Sequence, residues 1–225
     1  MKKRVERPSS VREGYDRWSE TYDATLNPVV ALDRRFTMRA LQLEAGETVL
    51  DAGCGTGSHL SRLCSARNHA VGLDFSRGML RVAQRTAPQA MLAQADLNDP
   101  LPIHGSTFDA ILCSLVSEHL TRIHRFFREC FAGLRRGGRL VFSAFHPEPA
   151  RAGVEANFEE NGTEYRLGAE PYSIDDYLNG IYDAGFNDLE WTEYGPDEQV
   201  IAEVPWAAKY VGRPLLLLVV AKRAA

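Results

Sequence analysis

Residues Val49-Leu-Asp-Ala-Gly-Cys-Gly-Thr-Gly57 decide the reading of this chain. Two apolar residues close a strand, an aspartate follows, and glycines then occupy alternate positions. Glycine lets backbone approach a ligand where a Cβ would clash. A pyrophosphate-binding loop offers backbone N–H groups and a helix N-terminus to an anion. Asp51, two residues ahead of the first glycine, would repel that anion. Its carboxylate suits a ligand that carries an ammonium group and no phosphate.

Working outward, the chain alternates strands and helices. Upstream, a polar segment carries Tyr15, Trp18 and Tyr22, and a helix is expected from about Pro28 to Leu43, with Val29, Leu32, Phe36 and Ala40 at helical spacing. Downstream, Ser58–Ala66 is helical in pattern and Ala70–Asp74 is a second strand. Ser76 caps a helix that Pro88 closes. Met91–Ala95, the near-continuous apolar run Phe108–Leu115 and Arg139–Phe145 give three more strands, with a helix from about Ile123 to Leu134 and a turn at Gly137-Gly138. This alternation predicts an α/β fold, a doubly wound Rossmann-like and mostly parallel sheet with helices on both faces. After Phe145 the rhythm changes. Asn161-Gly162 signals a two-residue hairpin. Ser173-Ile-Asp-Asp176 starts a helix that stops near Gly185, and 186–194 and 214–222 are the last strands. The expected organisation is a single domain: an N-terminal helical cap (1–44), a Rossmann-like core (45–145), an inserted flap (146–172) and a C-terminal completion of the sheet (173–225).

The 225 residues suffice for one well-buried core. A net charge of −4 gives no footprint for nucleic acid. The four cysteines have no CxxC spacing, which fits reduced thiols and a cytoplasmic protein. The start is basic without an apolar core, unlike a signal peptide, and the apolar run Pro214–Ala221 is too short to span a bilayer. No cluster has metal-site spacing. The expected partner is a small molecule, with no nucleic acid and no membrane, and the chain acts as a monomer or homodimer.

Three acids end three successive strands: Asp51, Asp74 and Asp96. Asp74 lies where doubly wound folds place an acid for ribose hydroxyls. At this point the chain resembles the class I family of methyltransferases that use S-adenosylmethionine (SAM), in its broad small-molecule branch. The resemblance rests on the 49–57 loop, Val71-Gly-Leu-Asp-Phe-Ser76 with Met79, Gln94-Ala-Asp-Leu97, Phe108-Asp-Ala-Ile-Leu-Cys-Ser114 and Leu134-Arg-Arg-Gly-Gly-Arg-Leu-Val141. Tyr15-Asp16 and Tyr22-Asp23 resemble paired segments found ahead of this domain in many relatives. The resemblance implies a seven-stranded sheet whose last strand is antiparallel. It also implies a cofactor site. Asp51 holds the methionyl ammonium; Gly53, Cys54, Gly55 and Gly57 form the cradle. Asp74 binds the ribose, Phe75 and Met79 cover the adenine, Asp96 and Leu97 contact its edge, and Ser114 lies beneath the methionyl part. Tyr15, Trp18 and Tyr22 would close over the sulfonium, whose charge favours aromatic faces.

An oxygen or nitrogen acceptor is expected, and Glu118, His119 and His146 stand just beyond strands where a base would serve it. His59, His69, His104 and His124 show no partner pattern. Trp206, Lys209 and Tyr210 read as a helix packed on the sheet, or as part of an acceptor pocket. Rival readings are a protein acceptor, a SAM-binding module without turnover and, more remotely, a nicotinamide oxidoreductase. The last would want G-x-G-x-x-G, where this chain has G-x-G-x-G and an aspartate ahead of it.

Overall fold

The structure, a computed structural model, describes residues 4–225. A short strand β1 (Arg4–Glu6) leads into helix α1 (Val11–Trp18), which Ser10 caps by accepting from the Glu13 N–H. Asn27 caps α2 (Pro28–Ala40), with Pro28 in the first turn, where its missing N–H costs nothing. The core then follows as β2 (Thr48–Ala52), α3 (Ser58–Ser65), β3 (His69–Asp74), α4 (Arg77–Thr86), β4 (Met91–Gln94), β5 (Phe108–Ser114), α5 (Ile123–Gly133) and β6 (Leu134–Phe145). After it come α6 (Pro147–Arg151), the hairpin β7 (Asn157–Glu160) and β8 (Thr163–Arg166), α7 (Ile174–Asp183), β9 (Asn187–Tyr194), α8 (Glu198–Glu203) and β10 (Leu216–Lys222).

The main sheet has seven strands in the order β4-β3-β2-β5-β6-β10-β9. Strands β2 to β6 pair in parallel, and β10 runs antiparallel between β6 and β9. This is the expected doubly wound sheet with its antiparallel last strand. Alternation along each strand feeds two cores. Leu50, Ile111, Cys113, Phe142 and Ala144 face one side, against Phe126 and Phe127 of α5 and Ile181 of α7. Val49, Ala110, Leu112 and Val141 face the other, against Leu60 and Leu63 of α3. Both faces are covered, which is why β5 is apolar at nearly every position.

The order of the strands brings the carboxyl ends of β2 and β5 together, and the chain reverses its winding there. Ligands of open α/β sheets bind at that crevice. Two local signals played out as expected: Asn161 (φ 51°) and Gly162 (φ 77°) form the hairpin turn, and Ser173 with Asp176 forms a full capping box. At Gly137-Gly138 the expected turn is a bulge within β6, where the register slips opposite Phe108 and Ala110. A second sheet was not anticipated. Strand β1 pairs in parallel with β8, giving the order β1-β8-β7. Trp18 stacks on Phe158 at 5.5 Å, and the Arg17 guanidinium lies 4.0 Å over the Tyr165 ring. These contacts clamp the N-terminal segment to the hairpin. Among the described residues no helix is long and apolar enough to cross a membrane.

Candidate functional site

The glycine loop joins β2 to α3, and all three glycines have positive φ: Gly53 84°, Gly55 51° and Gly57 83°. Their surroundings differ. A Cβ on Gly53 would stand 2.3 Å from Val116, and one on Gly57 would meet the Ala83 backbone of α4 at 3.0 Å, whereas a Cβ on Gly55 would enter open space. Gly55 therefore borders the crevice, while Gly57 serves the close packing of α3 on α4. The Cys54 side chain packs into the core beneath the loop, 7% exposed.

A cavity of ≈ 590 Å³ opens above the loop. Tyr15, Tyr22, Gly53, Gly55, Asp74, Phe75, Met79, Asp96, Leu97, Ser114 and His119 all line it. Asp74 accepts from the Gly55 N–H at 2.9 Å and the Ser76 N–H at 2.8 Å. Burial pushes its pKa up to about 6. Asp96 accepts from Arg12 at 3.2 Å and from the Asn98 N–H at 2.9 Å, and Arg12 also lies 5.8 Å over the Phe75 ring. Asp16, which sequence reasoning noted only as half of a Tyr-Asp pair, ties α1 to the start of α4. It accepts from Ser76 Oγ and the Gly78 N–H, both at 2.7 Å.

Asp51 is 1% exposed, and neither carboxylate oxygen has a hydrogen-bond partner among the described residues. Burial raises its pKa to about 7, opposed by the charge of His59 and reinforced by Asp33 and Asp74. A buried carboxylate without partners is costly. A ligand ammonium would relieve that cost, and the open space at Gly55 leaves room for a ligand backbone. The residues present therefore fit SAM.

Beside Asp51 lies a network that sequence reasoning missed. Asp33 of α2, 2% exposed, accepts from Ser114 Oγ and Ser143 Oγ at 2.6 Å and from Thr37 Oγ1 at 2.7 Å. His59 Nε2 stands 2.8 Å from the same carboxylate. Burial opposes both charges, yet this hydrogen bond and its Coulomb attraction leave Asp33 below its usual pKa and His59 above. His59, which showed no partner pattern in the sequence, is thus paired. The signal was present: Asp33 lies on the helical stripe of Leu32 and Phe36, four residues from Val29 and Thr37. Arg34 borders the same recess, bonded to Asp23 at 2.9 Å with a buried, unpartnered Nε.

A second cavity of ≈ 940 Å³ adjoins the first and shares Tyr15, Tyr22 and Leu115 with it. Its walls include Leu26, Val29, Val30, Phe145, Val154, Trp206, Tyr210 and Leu215. Tyr210 and Trp206 belong to a 3₁₀ turn, Pro205–Tyr210, and border this space, and Tyr210 also packs on the cluster of Leu32, Leu215 and Leu216. Leu115 holds a left-handed backbone (φ 52°) where the cavities meet, a strained conformation of the kind that clusters at functional sites.

The structure separates the three candidate bases. Glu118 lines the second cavity, its Oε2 buried without a partner, and burial raises its pKa to about 7. His119 lines the first cavity, where its Nε2 meets the Tyr15 hydroxyl at 2.9 Å. Burial lowers its pKa to about 4, so the ring is neutral, with Nε2 already engaged by Tyr15. His146 borders neither cavity. It caps α6 by accepting from the Glu148 N–H, and its Nε2 meets Glu193 at 2.6 Å. These contacts hold the His146 ring at the end of β6. Among the described residues no group of His, Cys, Asp and Glu is gathered as a metal site.

A family model described as a methyltransferase domain matches residues 50–142. A demethylmenaquinone methyltransferase of Clavibacter sepedonicus is 32% identical over 151 residues, which are 64% of this chain and 61% of the relative. One of Renibacterium salmoninarum is 31% identical over 171 residues, 73% of this chain and 69% of the relative. The chain thus spans about three fifths to two thirds of the length of these curated relatives. A SAM-dependent methyltransferase from Mesorhizobium loti superposes with a TM-score of 0.72 at 24% identity, over 87% of this chain and 100% of that one, a likeness of fold. Sequence likeness and fold agree, and the chain belongs to the class I SAM-dependent methyltransferase family.

Proposed function

We propose that the protein transfers the methyl group of SAM to a small apolar molecule held in the second cavity. The observation that carries this reading is the meeting of two cavities at Tyr15, Tyr22 and Leu115: one lined by the loop glycines with Asp74 and Asp96, the other by aromatic and aliphatic walls with Glu118 and Glu155 among them. SAM supplies an electrophilic methyl on a sulfonium. In this reading Asp51 takes the methionyl ammonium and Asp74 the ribose hydroxyls, in charge-assisted bonds. Gly53 and Gly55 give the backbone cradle, with the Cys54 backbone between them and Gly57 closing the loop onto α4. Phe75, Met79, Asp96 and Leu97 surround the adenine. Arg34, with its unpartnered Nε, faces the methionyl carboxylate, and Ser114 with Asp33 fixes the floor. Tyr15, held against His119, and Tyr22 form the rim that orients acceptor and donor, where positioning supplies much of the acceleration. The relatives named for demethylmenaquinone support a small-molecule acceptor.

Calorimetry with SAM and S-adenosylhomocysteine tests the donor half. Losing two charge-assisted bonds in Asp74→Ala removes about 3 kcal/mol, on the order of 100-fold in affinity. Asp74→Asn, which keeps the bond to one loop N–H, separates this from loop collapse. SAM binding to Asp74→Ala with unchanged affinity would overturn the site.

A further inference from the structure

The second cavity has an unusual charge pattern. Among the described residues its lining includes no lysine, arginine or histidine. Glu155 at its edge is matched by Arg7 at 3.1 Å and the Gly168 N–H at 2.5 Å. Glu118 has no cation among the described residues: its Oε2 is buried without a hydrogen-bond partner, and its carboxylate is met only by its own backbone N–H. An anionic acceptor would meet an uncompensated carboxylate and no cation. An ammonium acceptor would bring a second positive charge to the seam beside the sulfonium, and carries no lone pair for attack. A neutral acceptor that brings a proton on its nucleophilic atom satisfies Glu118 and the chemistry together. The walls Trp206, Tyr210, Phe145 and Val30 favour a flat apolar body.

Resting on the methyltransferase reading, we propose that the second cavity takes a neutral, planar acceptor bearing a ring hydroxyl, with Glu118 as the group that receives its proton. The bond that forms joins the methyl carbon to the hydroxyl oxygen. The bond that breaks is sulfur–methyl, its electron pair staying on sulfur, which becomes a neutral thioether. The hydroxyl proton goes to Glu118 and leaves to solvent once the ether departs. Acidity supports the choice. Glu118 at about 7 lies about three units below a phenol and far below a saturated alcohol, whose proton it could not hold in competition. The groups facing Glu118 are the phenols of Tyr15, Tyr22 and Tyr177 and the Cys113 thiol, all raised by burial and so uncharged.

The test uses the full chain, methyl-labelled SAM and three probes of one shape: 1-naphthol, 1-naphthylamine and 1-naphthoate. The expected result is labelled methyl on the oxygen of 1-naphthol alone, with kcat/KM rising through about pH 7. Glu118→Gln should lower kcat on the order of 100-fold or more and lose the pH step, with SAM affinity changed less than twofold. Glu118→Asp should recover part of the rate. Independently of turnover, 1-naphthol should quench tryptophan fluorescence in protein saturated with S-adenosylhomocysteine, and 1-naphthoate should not. Absence of SAM binding would sink the methyltransferase reading itself. Normal SAM binding with preference for the amine or acid, label on carbon, no transfer to 1-naphthol, or a Glu118→Gln variant with undiminished kcat would overturn the acceptor assignment alone.

Discussion

Asp51 makes the binding of SAM depend on pH. The carboxylate is buried with both oxygens unpartnered, and its pKa stands at about 7. If the ligand ammonium requires the ionised form, the apparent dissociation constant is the intrinsic one divided by the ionised fraction. That fraction is about nine tenths at pH 8 and about one tenth at pH 6, so affinity should fall roughly tenfold, about 1.4 kcal/mol. Asp74, at about 6, steepens the fall below pH 6. Binding near pH 7 should also release a fraction of a proton. The assay is calorimetry from pH 5.5 to 8.5 in two buffers of different ionisation enthalpy. Asp51→Asn should weaken binding at pH 8 by about 10- to 100-fold, the loss of one hydrogen bond to a charged group, and should remove most of the slope above pH 6. The same group has a converse effect on folding. Its pKa is raised on folding, so the neutral acid is favoured below about pH 7 and stability is lost as pH rises through it. Asp51→Asn should therefore melt higher than wild type at pH 8 without ligand. Affinity that is flat with pH, or a variant that keeps the full slope, would refute the reasoning.

Two further outcomes follow from the same geometry. Gly57→Val should destabilise the protein by more than about 1 kcal/mol, because its φ of 83° is left-handed and the new Cβ would stand 3.0 Å from the Ala83 backbone, readable as a lowered denaturant midpoint at unchanged slope. Asp33→Ala should cost about 3–5 kcal/mol by leaving His59, Ser114 and Ser143 without their shared acceptor. Wild type should lose the Asp33 contribution as pH falls below the usual carboxylate range, since that pKa is lowered on folding, and the His59 contribution as pH rises past the histidine range.

The sequence by itself determined the sheet and the donor end of the site. Those signals are local: a near-continuous apolar run in β5, a cap at Ser76, glycines at alternate positions, and acids at Asp51 and Asp74 whose places follow once strands are assigned. Only the tertiary structure decided what lies between elements distant in the chain. Asp33 and His59, 26 residues apart, meet beside Ser114 of β5 and Ser143 of β6, and nothing in either neighbourhood names the other. Glu118, His119 and His146 look alike as polar residues past strand ends. Packing gives each a different fate, because an unpaired Glu118, a Tyr15-bonded His119 and a Glu193-pinned His146 depend on partners contributed by separate segments. Strand β1 has three residues and no period to read, and exists through its pairing with β8. The loop at 49–57 announced a cationic donor from its own residues. Which group stands ready for the acceptor is set by burial and partners, which are properties of the folded chain.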